Sequence, residues 1–208
     1  MKTWKIYQDL LLKGEWHVHT NYTDGHNSVD DYCKKAVDLG IPLIAFTEHV
    51  RKNLDYDFSF FLDDIDEAKK NYNLIILSGC EAKVLPDGYL DVGDNILKEV
   101  DYPIFAFHSF PNDLNLYLES LHEVLKNKYV NSWAHPCSFL KKKNLELSDF
   151  QLKEIFSLMQ KNDVLLEINR KYSLPSQRWI DLAKDCNVKF VYGSDVHQLD
   201  SLVLSEFP

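Results

Sequence analysis

Seven short apolar, β-rich runs recur along this chain, at residues 15–19, 42–46, 74–78, 103–107, 129–133, 164–168 and 189–192, and helical patterns fill the intervals between them. Neighbouring parallel strands need a long crossover, which a helix supplies, so this alternation is the signature of βα units feeding a parallel sheet. Ser28 can cap a helix running to about Leu39, with Gly40 as its stop and Pro42 just beyond; further helices are expected over 58–70, 112–127, 148–161 and 175–185. Asp87-Gly88, between Val84 and Leu90, reads as a small hairpin turn, and 91–100 as a short helix leading to the fourth strand. Seven successive units without interruption, in 208 residues, point to one domain over 1–208 and to a closed or nearly closed barrel rather than an open doubly wound sheet.

In a parallel barrel the C-terminal ends of the strands open onto one face, where the βα-loops build the active site. Six of the eight histidines fall at or just beyond those ends, together with three acidic residues. His17 and His19 end the first strand, with Asp24 in the loop after them. His49 follows the second strand, Glu81 the third, His108 the fourth and His135 the fifth. Asp195 and His197 follow the seventh.

In His-x-His on a strand, both side chains point to the same face, so His17 and His19 can turn towards one ion; Asp195 and His197 repeat that spacing on the last strand, which in a barrel lies beside the first. One such pair arises by chance often, and a single histidine such as His135, His108 or His49 is more often a core or turn residue than a ligand. Placement at equivalent strand ends is what turns the set into a metal site. Glu81 directly follows an apolar run, where a carboxylate is costly to bury unless paired or coordinated, and its two oxygens can bridge two ions; the plain alternative is an ion pair with Lys83. Cys80 and Cys137 are read as packing residues, His122 as an ordinary helical histidine, and His26 as near enough to Asp24 to support it or to substitute for it as a ligand. Nitrogen and carboxylate donors without thiolate suit zinc, manganese or iron. Nine such ligands exceed the needs of one ion, so two or three divalent ions are expected. Ions this close generate hydroxide near neutral pH and clamp both the attacking and the leaving oxygen of a displacement at phosphorus, which makes phosphoester hydrolysis the natural reaction.

The motif order HVHTNYTDG, TEH, GCEAKVLPDGYLD, DYPIFAFHS, WAHP, LEINR and YGSDVH strongly resembles the PHP family, named for its polymerase and histidinol phosphatase members, from about Glu15 to His197. The resemblance implies a distorted (βα)7, TIM-like barrel. It also implies a trinuclear site: His17, His19, Glu81 and Asp195 on the first metal, Glu81, His108 and His135 on the second, and Asp24, His49 and His197 on the third. Some relatives carry histidine where this chain has Asp24. The chain ends eleven residues after His197, leaving little for the closing helix that often follows the last motif. An amphipathic opening helix near residues 3–12 is expected to compensate by covering the barrel.

Composition narrows the partners. A net charge of −9 disfavours a broad grip on nucleic acid, though it leaves room for a local basic cleft. No apolar run approaches the roughly 20 residues that cross a bilayer, and the four scattered cysteines read as free thiols of a reducing cytoplasm. The three arginines, Arg51, Arg170 and Arg178, fall in or next to βα-loops on the proposed catalytic side. Arg170, then Arg51, are the expected substrate-phosphate anchors, because a guanidinium fork suits phosphate oxygens; Lys141 to Lys143, in the loop after the fifth strand, form a solvated patch or a polyanion contact. The expected activity is phosphomonoester hydrolysis on a small phosphorylated metabolite, histidinol phosphate being one candidate, with Glu81, Asp195 and His197 carrying the chemistry. A phosphodiesterase or 3′-end nuclease and a non-catalytic, metal-stabilised module that binds a partner protein are the alternatives.

Overall fold

The computed structural model describes residues 1–204. Its strands are β1 (Glu15–Val18), β2 (Leu43–Val50), β3 (Ile75–Lys83), β4 (Tyr102–Ala106), β5 (Ser132–Trp133), β6 (Leu165–Asn169) and β7 (Phe190–Gly193). They form one parallel sheet in the order β1-β2-β3-β4-β5-β6-β7. The helices are α1 (Val29–Leu39), α2 (Phe58–Asn71), α3 (Asp94–Glu99), α4 (Leu114–Val124), α5 (Ser138–Lys143), α6 (Asp149–Lys161) and α7 (Gln177–Asp185). The sheet curls into a nearly closed barrel. Its seam is made just past β7, where the Val196 N–H donates to the His17 carbonyl at 3.0 Å and the His19 N–H to the Val196 carbonyl at 2.8 Å. The buried carboxylate of Glu15 reinforces the seam, accepting from the Ser194 N–H at 2.8 Å and the His17 N–H at 3.1 Å.

Local chemistry explains the elements. Ser28 caps α1 in a reciprocal capping box with Asp31, and Gly40 ends it in the left-handed conformation at φ 71°. Ser148 and Gln151 do the same at the start of α6. The hairpin turn appears as an antiparallel bridge between Val84 and Leu90. Two apolar layers follow from strand alternation. Outward residues such as Val18, Phe46, Cys80, Phe105 and Trp133 pack beneath the helices, while Trp16, Leu77, Tyr102, Ile104 and Val191 fill the barrel.

Three local expectations are corrected. The opening segment is not an amphipathic helix but two 3-10 turns, at Thr3–Lys5 and Gln8–Leu10. Its geometry is set by tertiary bonds: Lys2 Nζ donates to the Val130 and Asn162 carbonyls at 2.6 and 2.7 Å, and the Trp4 indole to the Asp163 carbonyl at 3.2 Å. Trp4 and Leu11 thereby plug the barrel at the N-terminal ends of the strands, opposite the metal-ligand candidates. Lys141 to Lys143 lie in helix α5 rather than in a loop. Finally, β2 and β3 run past their expected ends, so His49 and Glu81 sit inside the strands. Residues 205–208, the last of the eleven that follow His197, lie outside the described residues.

Candidate metal centre

All nine candidate ligands converge at the C-terminal mouth of the barrel. A register shift between Glu15 and Val18 inserts an extra residue into β1, so Trp16 and His17 both face inward: the indole enters the apolar filling and the imidazole meets Glu81. Four donor atoms then surround one point. His17 Nε2 lies 3.1 Å from His19 Nε2, 3.7 Å from Glu81 Oε2 and 3.6 Å from Asp195 Oδ1, and His19 Nε2 lies 3.5 and 3.3 Å from the same two oxygens. A tetrahedron with metal–ligand bonds of about 2.0–2.1 Å has edges of about 3.3–3.4 Å. The observed spacings fit that shell. A second observation agrees: Glu81 Oε2, fully buried and with His49 Nδ1 only 3.0 Å away, makes no hydrogen bond, so its lone pairs are aimed at a cation rather than at an N–H.

The other oxygen of Glu81 serves a second group, with His135 Nε2 at 2.8 Å and His108 Nε2 at 3.3 Å. Glu81 therefore stands between two clusters. The third group is shallower: Asp24, exposed on the β1–α1 loop, places Oδ2 3.5 Å from His49 Nε2 and Oδ1 3.3 Å from His197 Nε2. His49 lies between this group and Glu81, and His19, His49 and His197 also stand close enough to share an ion. His26 is exposed and outside these groups, its N–H donating to the His197 carbonyl at 2.7 Å. His122 sits in α4, and neither Cys80 nor Cys137 joins any of the described ligand groups.

Residues behind the ligands went unassigned in the sequence. Glu167, buried in β6, accepts from His17 Nδ1 at 2.7 Å through Oε2, and from the His135 N–H at 2.8 Å and the Asn169 amide at 2.6 Å through Oε1. One carboxylate thus orients ligands of two groups, the outer-shell arrangement that holds a metal-bound imidazole in one tautomer. The approach is so close that a Cβ at Gly193 would sit 2.8 Å from Glu167 Oε2 and 2.9 Å from the His17 Cβ. His135 Nδ1 meets Ser138 Oγ at 3.2 Å, and His197 Nδ1 donates to the Asp195 carbonyl at 2.8 Å, which turns Nε2 towards Asp24. Glu48, on the outer face of β2, accepts from the Thr20 N–H at 2.7 Å and from the Thr23 hydroxyl, fixing the loop that carries Asp24. The signal for Glu167 was strand parity: Leu165, Glu167 and Asn169 alternate inward, and a charged residue in that row must be paired.

The electrostatics favour bound positive charge. Burial alone would raise the pKa of Glu81, but His108 and His135 hold it well below the usual carboxylate range. Asp195 is likewise lowered against burial, by His19 and His17. Burial, with His49 and His17 alongside, pushes His19 down to about 3, leaving a neutral imidazole as a donor. Two of the candidate ligands, His135 (28°) and Asp195 (51°), are held at positive φ, as is Cys137 (64°) beside them.

Above the ligands opens a cavity of about 790 Å³. Its cationic groups are Lys141, Lys142 and Lys171, and Phe107, Phe139, Tyr172 and Leu174 provide apolar wall. Lys171 is the cation tied to the centre: its Nζ donates to Asp195 Oδ2 at 2.8 Å. The expected phosphate anchors lie elsewhere. Arg170 points into two neighbouring clefts, and the Arg51 guanidinium donates to the Val50 carbonyl at 2.6 Å; neither lines the cavity. Arg178 pairs with Asp149 on the surface.

Comparison with known proteins matches this arrangement. The family model described as "PHP domain" matches residues 15–171, about three quarters of the chain. A "DNA polymerase/3'-5' exonuclease PolX" from Bacillus subtilis is 28% identical over 92% of this chain, which spans only 35% of that protein's length. A "probable phosphatase" from Acetivibrio thermocellus is 29% identical, covering 87% of this chain and 78% of its own length. Among solved structures, histidinol phosphate phosphatase from Lactococcus lactis, determined with zinc, L-histidinol and phosphate, superposes with a TM-score of 0.68 at 20% identity, over 90% of this chain and 87% of that one; at such identity the likeness establishes the fold. The motifs, the barrel and the family match agree: the chain belongs to the PHP family.

Proposed function

We propose that this chain is a phosphomonoesterase that hydrolyses a small phosphorylated metabolite at the barrel mouth. As a PHP phosphoesterase it is a metal-dependent hydrolase of phosphoric esters; the finer assignment rests on the site. The observation that carries it is Glu81, whose two oxygens each face a separate group of imidazoles at the floor of a cavity sized for a small molecule. His17, His19, Glu81 and Asp195 would hold one divalent ion, Glu81, His108 and His135 a second, and Asp24, His49 and His197 a third, with zinc, manganese and iron all compatible with the donors. When bound, such ions supply Lewis-acid polarisation of a phosphoryl oxygen and activation of water. The chain's own groups do the positioning. Glu167 holds His17 and the His135 backbone, and Lys171, anchored on Asp195, presents its remaining hydrogens to a phosphate oxygen.

The likeness to the polymerase/exonuclease supports a second reading, phosphodiester cleavage at a nucleic-acid 3′ end. The net charge of −9 weighs against it. No described helix is long and apolar enough to cross a membrane. Manganese-loaded protein assayed against phosphorylated metabolites and short oligonucleotides separates the readings. Release of inorganic phosphate from monoesters is the expected result; shortening of oligonucleotides without monoesterase activity would replace it with the second reading, and inactivity on both classes would leave only a binding module.

A further inference from the structure

We infer that the substrate's leaving group carries a second anionic group, a carboxylate or a second phosphate, recognised by Lys141 and Lys142 on the far wall of the cavity. This rests on the phosphomonoesterase reading and adds a substrate class to it. The carboxylates lining the cavity are Asp24, Glu81 and Asp195, and all three belong to the ligand groups. The remaining described lining is apolar, aromatic, hydroxyl or cationic. A leaving group bearing an ammonium would find no counter-charge there and would face two lysines, so the wall disfavours a cationic alcohol, histidinol, the leaving group of the candidate drawn from the sequence, included.

Both lysines are exposed, and both line the cavity. In α5, Ser138, Lys141 and Lys142 stand at i, i+3 and i+4 and line the cavity together with the buried Phe139, while Leu140 is buried behind them. Phe139 stacks on Tyr117 with ring centroids 5.5 Å apart and an interplanar angle of 8°, which pins the helix. The same short segment supplies His135 to the centre and the Ser138 hydroxyl that meets its Nδ1. A candidate metal ligand and the second-anion wall are therefore carried by one segment. Neither lysine is engaged by a carboxylate: the described ion pairs include neither, whereas Lys171 is already held by Asp195.

The test uses metal-loaded protein and four phosphomonoesters of similar size: ethanolamine phosphate (cationic leaving group), glycerol monophosphate (neutral), phosphoglycerate (carboxylate) and a sugar bisphosphate. We expect kcat/KM to rise from cationic through neutral to anionic substrates, with about tenfold or more between neutral and anionic. In the Lys141→Met/Lys142→Met double variant, the anionic-to-neutral ratio should collapse towards one, mainly through KM. Phosphoglycerate exceeding the bisphosphate identifies a carboxylate as the second anion, and the reverse order identifies a phosphate. A ratio at or below one in the parent, or an unchanged ratio in the variant, overturns the inference. Calorimetric binding of the same four compounds reads the same preference without turnover. Absence of hydrolysis with the binding preference intact would remove the phosphatase reading alone, and loss of the preference with hydrolysis intact would remove only this inference.

Discussion

His17 and Glu167, 150 residues apart in the chain, meet in the floor of the cavity with Nδ1 2.7 Å from Oε2. The contact commits the Nδ1 proton to the carboxylate and leaves Nε2 facing His19, Glu81 and Asp195. Glu167→Gln keeps the volume and an acceptor for the His135 N–H but removes the charge that raises the ligand's basicity. Metal affinity, measured by chelator competition, should fall about 10- to 100-fold with the fold retained. Unchanged affinity would make Glu167 a packing residue of the barrel floor.

Replacing Glu81 by Gln should lower turnover by at least the roughly hundredfold that outer partners alone can command, because both clusters lose their shared anion. The circular dichroism spectrum should match the parent's. Near-full turnover would take Glu81 out of the mechanism.

Undenatured, unchelated protein should contain two or three divalent ions per chain by elemental analysis, and chelation should lower Tm, since ions that bind only the folded chain stabilise it by mass action. At most one tightly held ion would contradict the overlapping ligand groups around Glu81.

Lys171→Met should raise KM for phosphomonoesters and weaken inhibition by inorganic phosphate by about ten- to a hundredfold, the loss typical of one charge-assisted hydrogen bond. Arg170→Ala, outside the cavity, should change the same quantities far less. The opposite ranking would return the phosphate anchor to Arg170.

Burial pushes the Lys2 amine down to about 8 from the ordinary 10.5. Between those values the unfolded chain binds more protons than the folded one, so this group's contribution to stability rises with pH through the window and is constant below it. A neutral amine still has two hydrogens for the Val130 and Asn162 carbonyls. Denaturant midpoints of the parent and Lys2→Met, taken at about pH 8 and pH 10, should show the parent gaining on the variant as pH rises; parallel curves would mean that Lys2 stays charged throughout.

The barrel and the convergence of nine candidate ligands were legible in the sequence because both follow from local rules. Apolar runs separated by helical patterns leave few topologies, and a parallel barrel sends every strand's C-terminal end to one mouth. Strand parity also placed Glu167 and Asn169, odd-numbered in β6 like the inward Leu165; Arg170 and Lys171 lie in the turn beyond β6, where Lys171 lines the cavity and Arg170 the neighbouring clefts. Guanidinium chemistry pointed to Arg170, but the turn after β6 brings the Lys171 side chain, and not that of Arg170, to the cavity.

Other features depended on contacts between segments remote in sequence. Period-two alternation would turn Trp16 outward, and only the pairing of β1 with β2 creates the extra residue that brings both Trp16 and His17 inside. The amphipathic pattern of residues 3–12 suits a helix, yet the carbonyls before β5 and β6 capture Lys2 and Trp4 and hold the segment as two tight turns. Residue type and spacing therefore determined which side chains were available to bind metal. Packing across the closed barrel decided which partners orient them, because those contacts join strands more than a hundred residues apart.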